Sequence, residues 1–571
     1  MFLPICLLTL LIFFGSHAKA AKSPVISLPY GTFQGFSTGN LTKFLGVPFG
    51  HAARFETPKP PIVLHGIQNA TEFGPACPQQ TLTPPIPGFI PSSYPIISED
   101  VSLTLDVFMP LAKSSKSKLP VFVWIYGGKS SAKYCGKSNS YHIPPGGFES
   151  GNSRDIDVSP LLQRSIDVNE PIIVVALNYR VTAFGFLAGK EVGSAGVSNL
   201  GTRDQIYGLE WVQQHISAFG GDPDRVVIGG QSAGAISTSL LLLSNKQNSN
   251  TLFRGAFMES GSALKSPFLG EGQSDYDNLV AGTNCTDSPD TLDCLRRAPF
   301  EALMAAINKT PDFFSYRSLS LVWHPRIDGD VVAEDPLVSI SRGQYAKIPI
   351  MTGICDDEGT MCIPSTLRII CSQFFLTYFR HSYLPASSQE EIARVGILYP
   401  DDATQGSPFD TGTANQLTPE FKRIAAFGGD YGIIGPRRFL LEHASATQDT
   451  WSWGTSTDLA LQFQLNNTSF GTYHGFDFPI WFRLDNASQT VGVDALINFV
   501  NTLDPNRPAA FSTIEPTIFW PKWNMPSAAG NSSLLTFSDP AVVNITAEDF
   551  RVDAIRFLNE VLLAEVMGEF K

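Results

Sequence analysis

Between Pro120 and Leu243 the chain alternates short, continuous apolar runs with segments whose apolar residues recur every three to four positions. That alternation constrains the fold more than any other feature. "LPVFVWIYGG" and "PIIVVALNYR" are rich in β-branched residues and lack the polar alternation of a half-exposed strand. Runs of this kind suit strands buried on both faces, as in a parallel sheet. "TRDQIYGLEWVQQHISAF" puts Ile206, Leu209, Val212 and Ile216 at helical spacing, "DRVVIGG" reads as another strand and "SAGAISTSLLLLS" as another helix. Strands alternating with helices predict an α/β fold, with a large, mostly parallel central sheet and helices on both faces. "RVDAIRFLNEVLLAEVMGEF" closes the chain as an amphipathic helix, docked and without a catalytic role.

One strand-to-helix junction carries chemistry. Gly230-Gln231-Ser232-Ala233-Gly234 is a G-x-S-x-G lying directly between a predicted strand and a predicted helix. Glycines two before and two after Ser232 let the backbone turn tightly and push the hydroxyl out at a helix N-terminus. There the backbone N–H of Ala233 can face a developing oxyanion. A serine hydroxyl needs a base to take its proton and a carboxylate to steady that base. Downstream lie His324, His381, His443 and His474. His381 and His443 fall in helix-like patterns and read as structural, and His324 precedes any convincing acid loop. His474, between Gly471 and Gly475, lies in a loop able to carry an imidazole into a cleft, and is the expected base. For the acid, Asp356, Asp357 and Glu358 in "GICDDEGT" all follow an apolar strand run, where open α/β sheets place their sites. Spacing alone does not choose among them.

The bulk properties narrow the setting. A chain of 571 residues, 43% hydrophobic, is long enough for a large core, and its net charge of −13 argues against nucleic acid and anionic membranes as partners. After the N-terminus no run approaches the ~20 apolar residues needed to cross a bilayer, so no integral membrane association is expected. Phe2 to Phe14 is apolar and Ala18-Lys19-Ala20 fits a cleavage signal, which predicts a signal peptide at 1–20 and a mature secreted chain from 21. Sequons at Asn40, Asn69, Asn284, Asn308, Asn466, Asn467, Asn486, Asn531 and Asn544 suit a glycosylated, extracellular protein. Loss of Cys6 with the signal leaves an odd number of cysteines, awkward in an oxidising compartment. Cys285 and Cys294 bracket "CTDSPDTLDC" and are the expected disulfide.

"GGQSAGA", "NYRVTAFGFLAG", "NLGTRDQIYGLEWVQQHISAFGGDP", "CDDEGT", "GTYHGFDFP" and "FWPKWN", in that order, resemble the type-B carboxylesterase/lipase family of large secreted esterases related to cholinesterases and fungal lipases. The resemblance runs from about Val25 to the C-terminal helix. It implies a single α/β-hydrolase domain over 21–571, with Ser232 as nucleophile, Glu358 as acid and His474 as base. Cys285–Cys294 looks like the family's small-loop disulfide.

Departures from the family pattern are informative. The residue before the nucleophile, usually Glu, is Gln231, which should leave the histidine less basic and removes an anion that would attract choline-type cations. Cholinesterase activity is therefore not expected. Cys77 resembles half of a family disulfide whose other position reads Ser102, so that bridge is absent. The intervening "PQQTLTPPIPGFIPSSYPIISED" is proline-rich and lacks the amphipathic pattern of a large lipase lid, which favours an esterase.

The largest departure is an interruption. In the family an apolar strand runs into Gly-Gly-Gly-Phe, whose backbone N–H groups stabilise the negative charge of the transition state. Here "WIYGG" is separated from "GFESG" by Lys129 to Gly146, and removing that stretch restores "WIYGGGFESG". The oxyanion donors are then expected from Gly127, Gly128, Gly147 and Ala233. A loop of this length costs roughly 2.5 kcal/mol plus a constant to close, whereas one lost oxyanion donor costs about 10²–10³-fold in rate. The insertion at 129–146 thus threatens catalysis more than folding. Gly-Lys-Ser and Pro-Pro-Gly at its edges can be encoded with intron donor and acceptor signals, and its removal also removes Cys135 and evens the cysteine count. A retained intron in the gene is the expectation.

The functional expectation is a serine hydrolase of carboxylic esters acting through an acyl-enzyme. Its partner is a small-molecule or lipid ester, and no metal or organic cofactor is implied. A true triglyceride lipase and a non-catalytic adhesion or binding relative are the alternatives. The sequence leaves oligomeric state, acyl chain and alcohol open.

Overall fold

The structure, a computed structural model, describes residues 23–82, 97–98, 103–111, 118–128, 146–244, 252–361, 369–456, 470–506, 518–525, 532–539 and 542–569. The expected signal peptide, residues 129–145 of the insertion, Ser102, Cys135, Cys362 and the sequons at Asn466, Asn467 and Asn531 lie outside them.

The described strands run β1 (Val25–Leu28), β2 (Gly31–Gln34), β3 (Phe36–Thr38), β4 (Leu41–Pro48), β5 (Ile67–Asn69), β6 (Thr104–Pro110) and β7 (Leu119–Ile125). They continue with β8 (Ile173–Leu177), β9 (Gly221–Gln231), β10 (Gly255–Glu259), β11 (Ile350–Cys355), β12 (Thr450–Thr455), β13 (Ser533–Asp539) and β14 (Val542–Ala547). Among the described residues eleven form one sheet, in the order β14-β13-β12-β11-β10-β9-β7-β8-β6-β4-β3. The stretch from β8 through β7 to β13 is parallel, and the pairs at either end are antiparallel. β7, β8, β10 and β11 are buried at every position, as their unbroken apolar runs require. A second sheet, β1-β2-β5, lies near the N-terminus and has no counterpart in the expectations above.

The helical patterns form helices at Leu200–His215 and Ala233–Ser244, and a helix at Val552–Glu569 ends the described chain. Aromatic packing ties the central strands together on one face. Phe257 of β10 stacks on Trp453 of β12 with ring centroids 5.1 Å apart, and Trp453 lies 4.4 Å from Trp481. The strand between them, β11, offers Gly353, where a Cβ would come within 2.1 Å of the Trp453 ring. The indole can cross β11 only because that position is bare. This packing fixes β10 to β12 relative to one another, so their C-terminal ends form a rigid platform.

Candidate active site

Ser232 sits between the last residue of β9 and the first of the following helix, with φ of 57°, in the left-handed region that disfavours a side chain. Two backbone bonds hold it there: its N–H donates to the Glu259 carbonyl at 2.9 Å, and its carbonyl accepts the Ile236 N–H at 2.9 Å. The flanking glycines are needed for contact with β7. A Cβ on Gly234 would lie 2.1 Å from the Ile125 carbonyl oxygen, and one on Gly127 would lie 1.9 Å from the Gln231 carbonyl oxygen. The elbow and the end of β7 therefore touch backbone to backbone.

Ser232 Oγ is 2.7 Å from His474 Nε2, and His474 Nδ1 is 2.6 Å from Glu358 Oε2. A carboxylate accepting at Nδ1 fixes the tautomer that leaves Nε2 to accept the serine proton. The other Glu358 oxygen accepts the Cys355 N–H at 2.7 Å. Glu358 is fully buried, while the His474 side chain keeps 13% of its exposure. The three acids that spacing left open separate by partner. Asp357 accepts from Ser407 Oγ at 2.7 Å, Phe409 N at 2.9 Å and Thr472 N at 3.0 Å, so it anchors the loop that carries His474. The backbone N–H of Asp356 donates to Thr455 at the end of β12. Of the other histidines, His381 ends a helix and His443 bonds its own helix carbonyl at Phe439.

The glycines expected to hold an oxyanion fall into two groups. Gly147 (φ 65°) and Ala233 line the cavity beside Ser232, whereas Gly127 and Gly128 lie at the end of β7 and are not among its lining residues. Gly146 returns the chain against Gly128: its Cβ would lie 2.5 Å from the Gly128 nitrogen. The two ends of the insertion therefore meet. The returning limb is held by Thr182 N–H donating to the Phe148 carbonyl at 2.7 Å and Phe313 N–H donating to the Glu149 carboxyl at 2.8 Å.

The cavity at Ser232 has a volume of about 250 Å³, and Phe148, Ile236, Leu240, Phe313, Leu321 and Ile433 supply apolar wall. His324 also lines it. Burial and the neighbouring Arg326 push its pKa down to about 3, so this imidazole stays neutral. Gln231 approaches from the elbow, its amide nitrogen 3.4 Å from His474 Nε2, placing a dipole where a carboxylate would add charge. Among the described residues no group of histidine, cysteine and acidic side chains could hold a metal ion, and no helix is long and apolar enough to cross a membrane.

Sequence reasoning missed what lies behind the histidine. Asp477 accepts from Trp453 Nε1 at 2.9 Å and from Cys355 Sγ at 3.3 Å, and Glu259 pairs with it from the end of β10. A carboxyl closing the apolar run "GAFME" was the available signal. Cys285 and Cys294 are joined as a disulfide, with Cα atoms 5.7 Å apart, and Cys77, Cys355 and Cys371 are thiols.

The chain is similar to known proteins along most of its length. The chain is 33% identical to the secreted triacylglycerol lipase LIP1 of Gibberella zeae, over 95% of this chain and 90% of the relative. It is 35% identical to Lipase 4 of Diutina rugosa, over 90% and 92%. The crystal structure of Aspergillus niger EstA superposes with a TM-score of 0.75 at 25% identity, covering 95% of this chain and 98% of that one. The model of the carboxylesterase family matches residues 22–541. An α/β-hydrolase sheet, a serine on a strained elbow and a family match across nearly the whole chain make this protein a carboxylic ester hydrolase of the carboxylesterase family.

Proposed function

We propose that Ser232 is the nucleophile, His474 the general base and Glu358 the acid that orients it. The observation that carries this reading is the unbroken chain of hydrogen bonds, 2.7 Å from Ser232 to His474 and 2.6 Å from His474 to Glu358. His474 takes the hydroxyl proton as Ser232 Oγ attacks the ester carbonyl, and Glu358 stabilises the imidazolium. The oxyanion is held by the N–H groups of Ala233 and Gly147, with Gly127 and Gly128 at the end of β7 setting the approach of that loop. The imidazolium returns its proton to the leaving alcohol. Water, deprotonated by the same imidazole, then releases the acid.

The substrate is an ester whose acyl chain is apolar, because the walls at Ser232 are largely aliphatic and aromatic. A true lipase is the second reading, favoured by the names of the relatives LIP1, a triacylglycerol lipase, and Lipase 4. A rate jump above the solubility limit of a long-chain triglyceride would select it, and a smooth saturation curve the esterase. The enzyme acts outside the cell as one domain over 21–571 after loss of residues 1–20. The description of LIP1 as a secreted lipase and the exposure of Asn40, Asn69, Asn284, Asn308 and Asn544 support this. Residues 129–146 are an insertion, supported by the contact of Gly146 with Gly128.

Hydrolysis of p-nitrophenyl butyrate tests the assignment. Ser232→Ala is expected to lower kcat by on the order of 10⁶-fold. Equal rates for the two proteins would favour a binding protein on the same scaffold.

A further inference from the structure

Three carboxyl groups are buried together beneath the catalytic histidine: Glu358, Asp477 and Glu259, each fully inaccessible to solvent. The mechanism above uses only the first. Asp477 lies three residues after His474 on the same loop, and its two oxygens are held by donors from different strands. These are Trp453 Nε1 from β12 at 2.9 Å and Cys355 Sγ from β11 at 3.3 Å. Glu259 ends β10, and among the described residues no amide or hydroxyl donor reaches either of its side-chain oxygens. The group it meets is the Asp477 carboxyl. A buried carboxylate with no donor is untenable, and such a group takes up a proton instead. With a proton Glu259 becomes a donor, and Asp477 is the acceptor in reach.

We propose that Glu259 is a positioning residue: as a neutral acid it donates a hydrogen bond to Asp477, and so locks the loop bearing His474 onto the ends of β10, β11 and β12. Two facts beyond the pair itself point the same way. The backbone carbonyl of Glu259 holds the Ser232 N–H at 2.9 Å. The Cys355 that donates its thiol to Asp477 also donates its N–H to Glu358. The Asp477 carboxylate thus gathers, through one side chain, the strand end that supports the nucleophile and the strand end that leads to the acid. The titratable groups facing Glu259 are Asp477 from the histidine loop and Glu358 from the turn after β11. Both raise its pKa, in the direction burial already sets. Asp477 is also pushed up, by burial and by Glu358, so the pair retains one proton.

The inference rests on His474 being the base, and the experiment separates the two claims. Full-length wild type, Ser232→Ala, Glu259→Gln and Glu259→Leu are compared on p-nitrophenyl butyrate from pH 5 to 9. Glutamine keeps the shape, the donor and the zero charge; leucine keeps only bulk. Glu259→Leu is expected to lose about 10–100-fold in kcat with little change in KM, the scale of a misplaced catalytic group. Glu259→Gln is expected to recover most of that loss and to leave the acid limb of kcat/KM where it is in wild type. An acid limb displaced to lower pH in Glu259→Gln would show that an ionised carboxylate had been removed, and overturns the proposal. That readout needs only the isosteric variant, so it decides the matter even if Glu259→Leu does not fold. A glutamine variant no better than leucine also overturns it. A Ser232→Ala enzyme as active as wild type would instead overturn the triad reading.

Discussion

Replacing Gly127 by alanine adds one methyl group where the end of β7 meets the nucleophile elbow. That methyl would lie 1.9 Å from the Gln231 carbonyl oxygen and 2.9 Å from the nitrogens of Ala233 and Gly234. All three neighbours are backbone, so no side chain can rotate away. Relief to an ordinary contact of 3.4 Å requires the β7 end and the elbow to part by about 1.5 Å. Overpacking of that size costs about 1–3 kcal/mol in stability, which a core of this extent tolerates. Catalysis is more sensitive, because a 1 Å misplacement costs about 10²-fold. The expected result is a folded enzyme whose kcat/KM on p-nitrophenyl butyrate falls about 10²-fold, mostly in kcat. Gly270→Ala, at a position with nothing within 4 Å, is the control. A Gly127→Ala enzyme within about threefold of wild type would refute the claim that the loop and the elbow are set by direct backbone contact.

Three further outcomes follow from the same geometry. Glu358→Gln removes the charge that stabilises the imidazolium while keeping shape, and kcat should fall about 10⁴-fold; a loss below tenfold would return the acid's role to Asp356 or Asp357. Asp106 is buried and its pKa is raised from 3.8 to about 6 by desolvation, so folding strengthens its hold on a proton. The stability it contributes is present below about pH 4 and is lost as pH climbs through 6, a change of ~3 kcal/mol. Asp106→Asn should therefore gain stability over wild type between pH 4 and pH 8 in urea denaturation, and a constant difference would contradict this. Deleting Lys129 to Gly146 should leave a folded esterase at least as active as the full chain, and the transcript across Tyr126 to Phe148 should lack those codons; a tenfold loss of activity would mean that the segment belongs to the enzyme.

Much of the site was legible because its signals are local. The G-x-S-x-G junction is a contiguous pattern whose strand and helix can be read on either side of it, and His474 stands between two glycines. The choice among Asp356, Asp357 and Glu358 was not legible, because it depends on which way each side chain leaves a turn. Asp357 is captured by Ser407 and the backbone at Thr472, residues far away in sequence, and that leaves Glu358 facing the imidazole. The resemblance supplied what spacing lacked. Glu259 went unread for a similar reason: its meaning comes from Asp477, more than two hundred residues later, and a single acid at the end of a strand has no periodicity. The β1-β2-β5 sheet escaped notice because its strands are only three or four residues long.

Gly128 and Gly146 occupy a crossing point, with the chain departing and rejoining at one place beside the reaction centre. Any polypeptide spliced there begins and finishes at the same spot, so its length places no tension on the strand it interrupts. Such a crossing is a natural port for grafting a peptide tag or a small sensor, whose own motions would then be reported directly as changes in turnover.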